Sequence, residues 1–237
     1  VLILAGGEGK RLKPVTESIP KPMVEVNGKP FLKHQLELLS KNGISDVVLC
    51  VGHLWEHIKD HFGDNFKSKS GKKINIHYSV EPRFLGTGGA VKNAEKYIQD
   101  YFFVIYGDTY LAIDLQEMSR IIYEKKVAGV ISVYDNHERI VENNVHVDPD
   151  GLVIKYDKFH QSPEMNGVEA GTLLFNRSIL SLLPDLNQLK PYQKVSLEID
   201  IYPKLINQHQ LLGYMTSTRF YDMGTPSRLK IISEVLK

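Results

Sequence analysis

Apolar positions along this chain gather in short continuous runs, and between the runs they recur at helical spacing. Residues 1–5 form such a run, too short and too β-branched for a helix, and read as a buried strand of a parallel sheet. Strands of the same kind are predicted over 46–52, 74–80, 102–106 and 129–134, with helices over 31–42, 55–62, 90–98 and 115–125 between them. The first helix opens after Pro30, carries Leu32, Leu36 and Leu39 on one face, and stops at Gly43. A short alternating strand, 24–26, runs into an Asn27-Gly28 turn, and the polar stretch 67–73 reads as a solvated loop. Strands alternating with helices predict a mostly parallel sheet wrapped by helices on both faces. Past Asp135 the spacing becomes that of a β-hairpin: 145–148 and 152–156 flank a Pro149-Asp150-Gly151 turn, and 168–175 is a further strand. Helical spacing returns over 196–205 and over 226–236, the latter with Thr225 as cap and Pro226 at its first position. The expectation is one α/β domain over 1–237, with an inserted β region in its second half and a division into 1–134 and 135–237.

Composition narrows function more than fold. With 42% hydrophobic and 24% charged residues in 237, the chain can bury a full core. A formal net charge of +1 gives no global reason to expect nucleic acid or a membrane as partner. The single cysteine, Cys50, excludes an internal disulfide and a cysteine-based zinc site, and its apolar neighbours predict a buried thiol. No apolar run reaches membrane-spanning length and no signal-peptide pattern is present, so the cytoplasm is the expected compartment. A homo-oligomer is left open. His53, His57 and His61 recur every four residues and read as a solvated or half-buried helix stripe beside Trp55 and Phe62 rather than a zinc site.

The chemistry concentrates just after the first strand. Leu4 and Ala5 lead into Gly6-Gly7-Glu8-Gly9-Lys10-Arg11-Leu12-Lys13, a loop of three glycines and three cations. Glycines at a strand's carboxyl end let backbone N–H groups approach an anion closely, and Lys10, Arg11 and Lys13 supply charge for several phosphate oxygens. A Walker A loop would need glycine where Leu4 stands and Ser or Thr where Arg11 stands; a dinucleotide fingerprint would need a small residue at Leu12. Both are excluded, and an NAD-binding oxidoreductase with them. Pro20 and Pro22 bracket Lys21, which predicts extended backbone and a restricted direction for that cation. Ligands of open parallel sheets bind beyond the carboxyl ends of the strands, which brings 6–13, 81–89 and Gly107-Asp108 to one rim. Asp108 and Asp222 each end a short apolar run beside a glycine, and two such carboxylates near a phosphate loop suit a Mg²⁺ ion bridging phosphates.

The run from Leu4 to Leu12 followed by Pro20-Lys21-Pro22-Met23 resembles the signature of the sugar-1-phosphate nucleotidylyltransferases. Leu85-Gly86-Thr87-Gly88-Gly89-Ala90, Gly107-Asp108 and Tyr221-Asp222-Met223-Gly224-Thr225-Pro226 follow in that family's order. The resemblance covers nearly the whole chain and is greatest to the D-glycero-D-manno-heptose 1-phosphate guanylyltransferases. It implies a Rossmann-like fold with a nucleotide-binding half, 1–134, and a sugar-binding half, 135–237. It implies a reaction in which a nucleoside triphosphate and a sugar 1-phosphate give a nucleotide-sugar and pyrophosphate, a task of positioning and charge neutralisation. In that reading Arg11 and Lys21 are catalytic, Arg11 stabilising the leaving pyrophosphate and Lys21 bridging the reacting phosphates. Leu4, Ala5, Gly6, Gly7, Glu8, Gly9, Lys10, Glu81, Gly86, Thr87, Gly88 and Asp108 contact the nucleotide. Gly107, Asp157, Lys158 and Glu169 contact the sugar phosphate, and Asp108 and Asp222 hold Mg²⁺. The chain departs from the family at three places: Lys10 replaces a common Thr, Asp157 the more usual Glu, and Glu169 falls where many relatives have Asn.

Glu81 bears on the base. An ionised carboxylate only accepts hydrogen bonds, and guanine offers adjacent N1–H and N2–H₂ donors where uracil offers one imino N–H. GTP is the expected donor, with CTP next and UTP or dTTP as alternatives. A non-catalytic nucleotide-sugar sensor is the competing class; it predicts loss of a phosphate cation or metal carboxylate, and Arg11, Lys21, Asp108 and Asp222 are all present.

Overall fold

A computed structural model of the protein describes residues 1–160 and 162–237. Its strands are β1 (Leu2–Leu4), β2 (Glu25–Val26), β3 (Lys29–Pro30), β4 (Asp46–Val51), β5 (Asn65–Lys67), β6 (Lys73–Val80) and β7 (Tyr101–Tyr106). They continue as β8 (Thr109–Tyr110), β9 (Gly129–Tyr134), β10 (Val145–Val147), β11 (Val153–Tyr156), β12 (Val168–Asn176), β13 (Leu211–Thr216) and β14 (Tyr221–Asp222). The α-helices are α1 (Phe31–Lys41), α2 (Trp55–Phe62), α3 (Gly86–Asn93), α4 (Leu115–Lys125), α5 (Tyr202–Asn207) and α6 (Pro226–Val235). Eight strands form one sheet in the order β13-β9-β12-β7-β1-β4-β6-β5. Within it β1 with β4, β4 with β6, and β9 with β13 run parallel, whereas β5 and β12 lie antiparallel to β6 and β9. The expected α/β sheet flanked by helices is present, and the antiparallel β10–β11 hairpin is the β region inserted between β9 and β12.

Contacts divide the chain into two compact units. The first comprises Val1–Phe84, Ile105–Tyr110 and Tyr221–Lys237. Its α1 buries Phe31, Leu32, Leu36 and Leu39, and β4 is buried from Val47 to Val51 because both of its neighbours are parallel strands. Each such side chain contributes about 1.5–3 kcal/mol of transfer free energy. Asn27 and Gly28 both take positive φ, 51° and 71°, the pair that a two-residue hairpin turn between β2 and β3 requires. The second unit comprises Leu85–Val104 and Leu111–Phe220. Asp114 caps α4 by accepting from the Gln116 amide at 2.8 Å, and β9 is buried along its whole length.

Five elements differ from the sequence expectation. Helix α3 starts at Gly86 rather than residue 90 and gives way to a 3-10 turn, Glu95–Tyr97. Glycines start helices poorly on propensity alone, but here the Val195 carbonyl accepts from the Gly88 and Gly89 amides at 2.9 and 3.2 Å, which satisfies donors of the first turn. The stretch expected as one helix over 196–205 is a π turn, Leu197–Ile201, running into α5. Lys21 sits in a 3-10 turn, Lys21–Met23, not in extended backbone; only Pro20 is extended, and Pro22 fits the second position of the turn. Strands β5 and β13 were not expected at all, the first being too short to show a period and the second being interrupted by Gly213.

Candidate active site

The loop after β1 is held in place by its own side chains. Gly9 takes φ 64°, which only glycine adopts freely, and turns the chain into a 3-10 turn, Lys10–Leu12. Leu12 is buried in an apolar cluster with Val24, Val26, Phe31, Met223 and Ile232. The buried Thr16 hydroxyl donates to the Gly9 carbonyl at 2.9 Å. The three glycines face different things. A Cβ at Gly9 would press on Thr16 and on the Lys21 stem, and one at Gly6 would overlap the Glu81 carboxylate. A Cβ at Gly7 would meet nothing within 4 Å, so Gly7 is the point where a ligand can approach the backbone. Lys10 is exposed and pairs with Glu8 at 2.9 Å; Lys13 pairs with Glu17 at 3.5 Å.

Glu81 follows β6 and is buried, 8% exposed, with its amide donating to the Val51 carbonyl at 2.8 Å. Its carboxylate fills the space that a side chain on Gly6 would take, so the strand end and the loop fit together at that residue. Nearby, burial and the negative charge of Glu81 push the Cys50 thiol far above its ordinary range, which leaves the thiol inert at neutral pH.

Lys21 forms an ion pair with Asp108, and its side chain is only 13% exposed. Asp108 lies between Gly107, whose amide donates to the Leu4 carbonyl at 2.9 Å, and β8. A Cβ on Gly107 would come 2.5 Å from that carbonyl, so glycine is required for the close crossing. Strand β14 pairs antiparallel with β8, setting Asp222 opposite Thr109, and the Met223 amide donates to the Asp108 carbonyl at 3.1 Å. Asp222 accepts from the Gly224 amide at 2.7 Å and from Arg228 in the first turn of α6 at 2.8 Å. Arg11 reaches the same place: its Nη2 lies 3.5 Å from where a Cβ on Gly224 would stand. Thus Arg11, Lys21, Asp108 and Asp222, far apart in sequence, all belong to the first unit and converge on the paired strands β8 and β14. An arrangement of two carboxylates and two cations beside an open glycine backbone can neutralise and orient a polyphosphate.

In the second unit, Thr87 donates to Glu198 at 2.7 Å and accepts from the Leu197 amide at 2.8 Å, while the Ser196 hydroxyl donates to Glu198 at 2.6 Å. Glu198, 6% exposed, was not singled out in the sequence; its one signal is a Glu two residues after Ser196, a pattern shared by many helix starts. Tyr156 stacks edge-on against Tyr202 at 5.1 Å. Burial drives its phenol well above the ordinary value, and the negative charges of Glu169, Glu198 and Asp157 add to the effect. Glu169 accepts from the Gly171 amide at 2.7 Å. Asp157 accepts from the Phe159 and His160 amides at 2.8 and 2.9 Å, which holds its carboxyl below the usual range, and Lys158 is exposed.

A family model described as nucleotidyl transferase matches residues 1–236. The chain belongs to that family. Among curated proteins, the transferase is 37% identical over 182 residues to a D-glycero-alpha-D-manno-heptose 1-phosphate guanylyltransferase of Campylobacter jejuni, covering 76% of this chain and 77% of the relative. It is 32% identical over 230 residues to the protein of the same name from Aneurinibacillus thermoaerophilus, covering 95% and 93%. Among solved structures, HddC from Yersinia pseudotuberculosis complexed with GMP-PN matches the transferase with a TM-score of 0.77 and 30% identity, over 100% of this chain and 98% of that one. The family makes it an enzyme, a nucleotidyltransferase. Among the described residues no helix is long and apolar enough to cross a membrane.

Proposed function

We propose that this nucleotidyltransferase moves a guanylyl group from GTP to a sugar 1-phosphate, with a heptose 1-phosphate as the preferred acceptor, giving a nucleotide-sugar and pyrophosphate. The observation that carries the reading is the convergence of Lys21, Asp108, Arg11 and Asp222 beside the open backbone of Gly7. The names of the relatives and the guanine nucleotide in HddC support the choice of base and sugar.

An oxygen of the sugar phosphate attacks the α-phosphorus; that bond forms as the bond to the β-bridging oxygen breaks, and pyrophosphate departs with the charge. Every participant is anionic, so no protein nucleophile is needed and the protein's work is electrostatic. Gly6, Gly7, Gly9 and Lys10 hold the triphosphate, Arg11 takes up charge on the leaving pyrophosphate, and Lys21 spans the two reacting phosphates. Glu81 accepts from the N1–H and N2–H₂ edge of guanine, aided by backbone groups of Gly86 to Gly88. Lys158, Asp157, Glu169 and Gly107 engage the sugar phosphate.

The Asp108 and Asp222 carboxylates offer the hard oxygen donors that Mg²⁺ takes, and each is now matched by a cation, Lys21 and Arg228. Mg²⁺ held there would offset charge on the α-phosphate. With Asp108 so engaged, Lys21 would be free to contact the phosphates. Pyrophosphate release measured with GTP, CTP, UTP and dTTP against a panel of sugar 1-phosphates tests the reading. GTP with a heptose 1-phosphate is expected to give the highest kcat/KM. A preference for UTP would overturn the role of Glu81, and absence of pyrophosphate with every pair would leave the sensor.

A further inference from the structure

A cavity of 470 Å³ opens in the first unit away from the glycine loop, a volume in the range of small-molecule sites. Five lysines line it: Lys29, Lys33, Lys41, Lys69 and Lys237. The one acidic side chain on its wall among the described residues is Glu37, and both of its oxygens accept from the Lys69 backbone amide at 3.1 Å. This is a dense local charge in a chain whose formal net charge is +1.

Several lysines elsewhere in the chain are tied up in ion pairs. Lys10, Lys13, Lys21, Lys59, Lys92 and Lys155 each hold a carboxylate within 4 Å. Among the described residues none of the five cavity lysines does. Three of them face one another: the charge of Lys69 and its hydrogen-bonding contact hold the Lys29 ammonium below its ordinary pKa, with Lys33 adding to the effect and Glu37 opposing it. Like charges gathered in a concave wall and outnumbering its one carboxylate raise the local concentration of anions. The remaining wall mixes polar His34, Ser40 and Ser70 with Tyr110, Leu38, Val235 and Leu236, which offer apolar and aromatic surface.

We propose that this cavity is a binding site for a small diphosphate-bearing anion, distinct from the glycine-loop site and independent of the substrate assignment made above. Four or five ammonium groups can divide among the oxygens of one diphosphate as point charges, and none must first be detached from a carboxylate. The site also adjoins the catalytic edge. Tyr110 closes β8, two positions beyond Asp108, and Gln35 of α1 donates to the Tyr106 and Thr109 carbonyls at 2.9 and 2.8 Å. An occupant gripping α1 and Tyr110 therefore bears on the strand pair that carries Asp108 and Asp222.

The test is calorimetric titration of the metal-free Arg11→Ala protein, in which the glycine-loop site is weakened. Inorganic pyrophosphate is the probe in one arm and GDP in the other. One equivalent is expected to bind, and Lys29→Glu with Lys69→Glu to weaken it by at least about tenfold, with Lys33→Gln with Lys69→Gln as the milder pair should the reversal unfold the chain. Binding of pyrophosphate at the strength of GDP assigns recognition to the diphosphate alone; tighter GDP binding assigns part of it to the nucleoside on the Tyr110 face. Unchanged affinity in the lysine variants, or no binding of either probe to the Arg11→Ala protein, overturns the site.

Discussion

Replacing Gly6 by alanine places a Cβ inside the Glu81 carboxylate, closer than real Cβ atoms ever come to a neighbour. The carboxylate must retreat by about 1 Å to restore an ordinary contact of 3.4 Å. It is the far end of a flexible side chain, but Glu81 is buried, and the Gly6 carbonyl is itself close to Gly52 on the other side. Overpacking of this kind costs roughly 1–3 kcal/mol. If the strain is relieved by displacing Glu81 from the base-reading position proposed for it, the loss appears in KM for GTP, by about 5- to 150-fold, while kcat with saturating GTP changes less. The pair forms a double-mutant cycle. Glu81→Ala removes the obstacle, so the added cost of Gly6→Ala in that background should fall by about 1 kcal/mol or more, both in urea midpoint stability and in KM. The assay is pyrophosphate release over a GTP series for four proteins, with parallel urea unfolding. Costs that add to within about 0.5 kcal/mol would refute the packing of Glu81 behind Gly6 as the reason for the glycine.

Lys21→Ala is expected to reduce kcat by about a hundred- to thousandfold, as for loss of one electrostatic stabiliser; near-normal turnover would remove Lys21 from the chemistry. Glu198→Ala strips two hydroxyls, on Thr87 and Ser196, of one shared buried acceptor, and should lower unfolding stability by about 1–3 kcal/mol in urea titration. Glu198→Gln, which keeps an acceptor oxygen, is expected to recover most of that. Asp157 has its folded pKa depressed by the Phe159 and His160 amides, so the stability it adds to the loop after β11 is complete above the unfolded value of 3.8 and is lost as pH falls below it through the folded value. Carboxyl chemical shifts followed by NMR between pH 6 and pH 2 should show Asp157 titrating below 3.8, and a midpoint at or above that value would contradict the turn.

How much of this was readable in advance follows from the range of the interactions. Helix α2 and strand β9 were predicted to the residue, since each depends on its own periodicity and on Gly or Lys punctuation at its ends. The start of α3 was not, because the groups that satisfy its first turn come from Val195, over a hundred positions away. Strand β13 was hidden by Gly213, whose reason is again distant: a Cβ there would stand 2.7 Å from Val147 Cγ2, on the hairpin inserted much earlier.

The candidate site divides along the same line, with one instructive exception. Nothing local ties Lys21 to Asp108, 87 positions apart, or Thr87 to Glu198, 111 apart; both members of the first pair were nonetheless singled out, though not as partners, Asp108 because a parallel sheet sends its carboxyl ends to one rim and Lys21 by its flanking prolines and the family resemblance. Glu198 follows no strand, so the rule passes over it. The rule also locates glycines without saying what fills the space they leave. Gly6, Gly7 and Gly9 look equivalent in the sequence as room for an anion, yet two of them are room for protein: Glu81 presses on Gly6, and Thr16 and Lys21 on Gly9. That packing fixes the peptide planes on either side of Gly7 before any phosphate arrives, and a donor array already oriented costs less to reorganise when charge develops on the ligand.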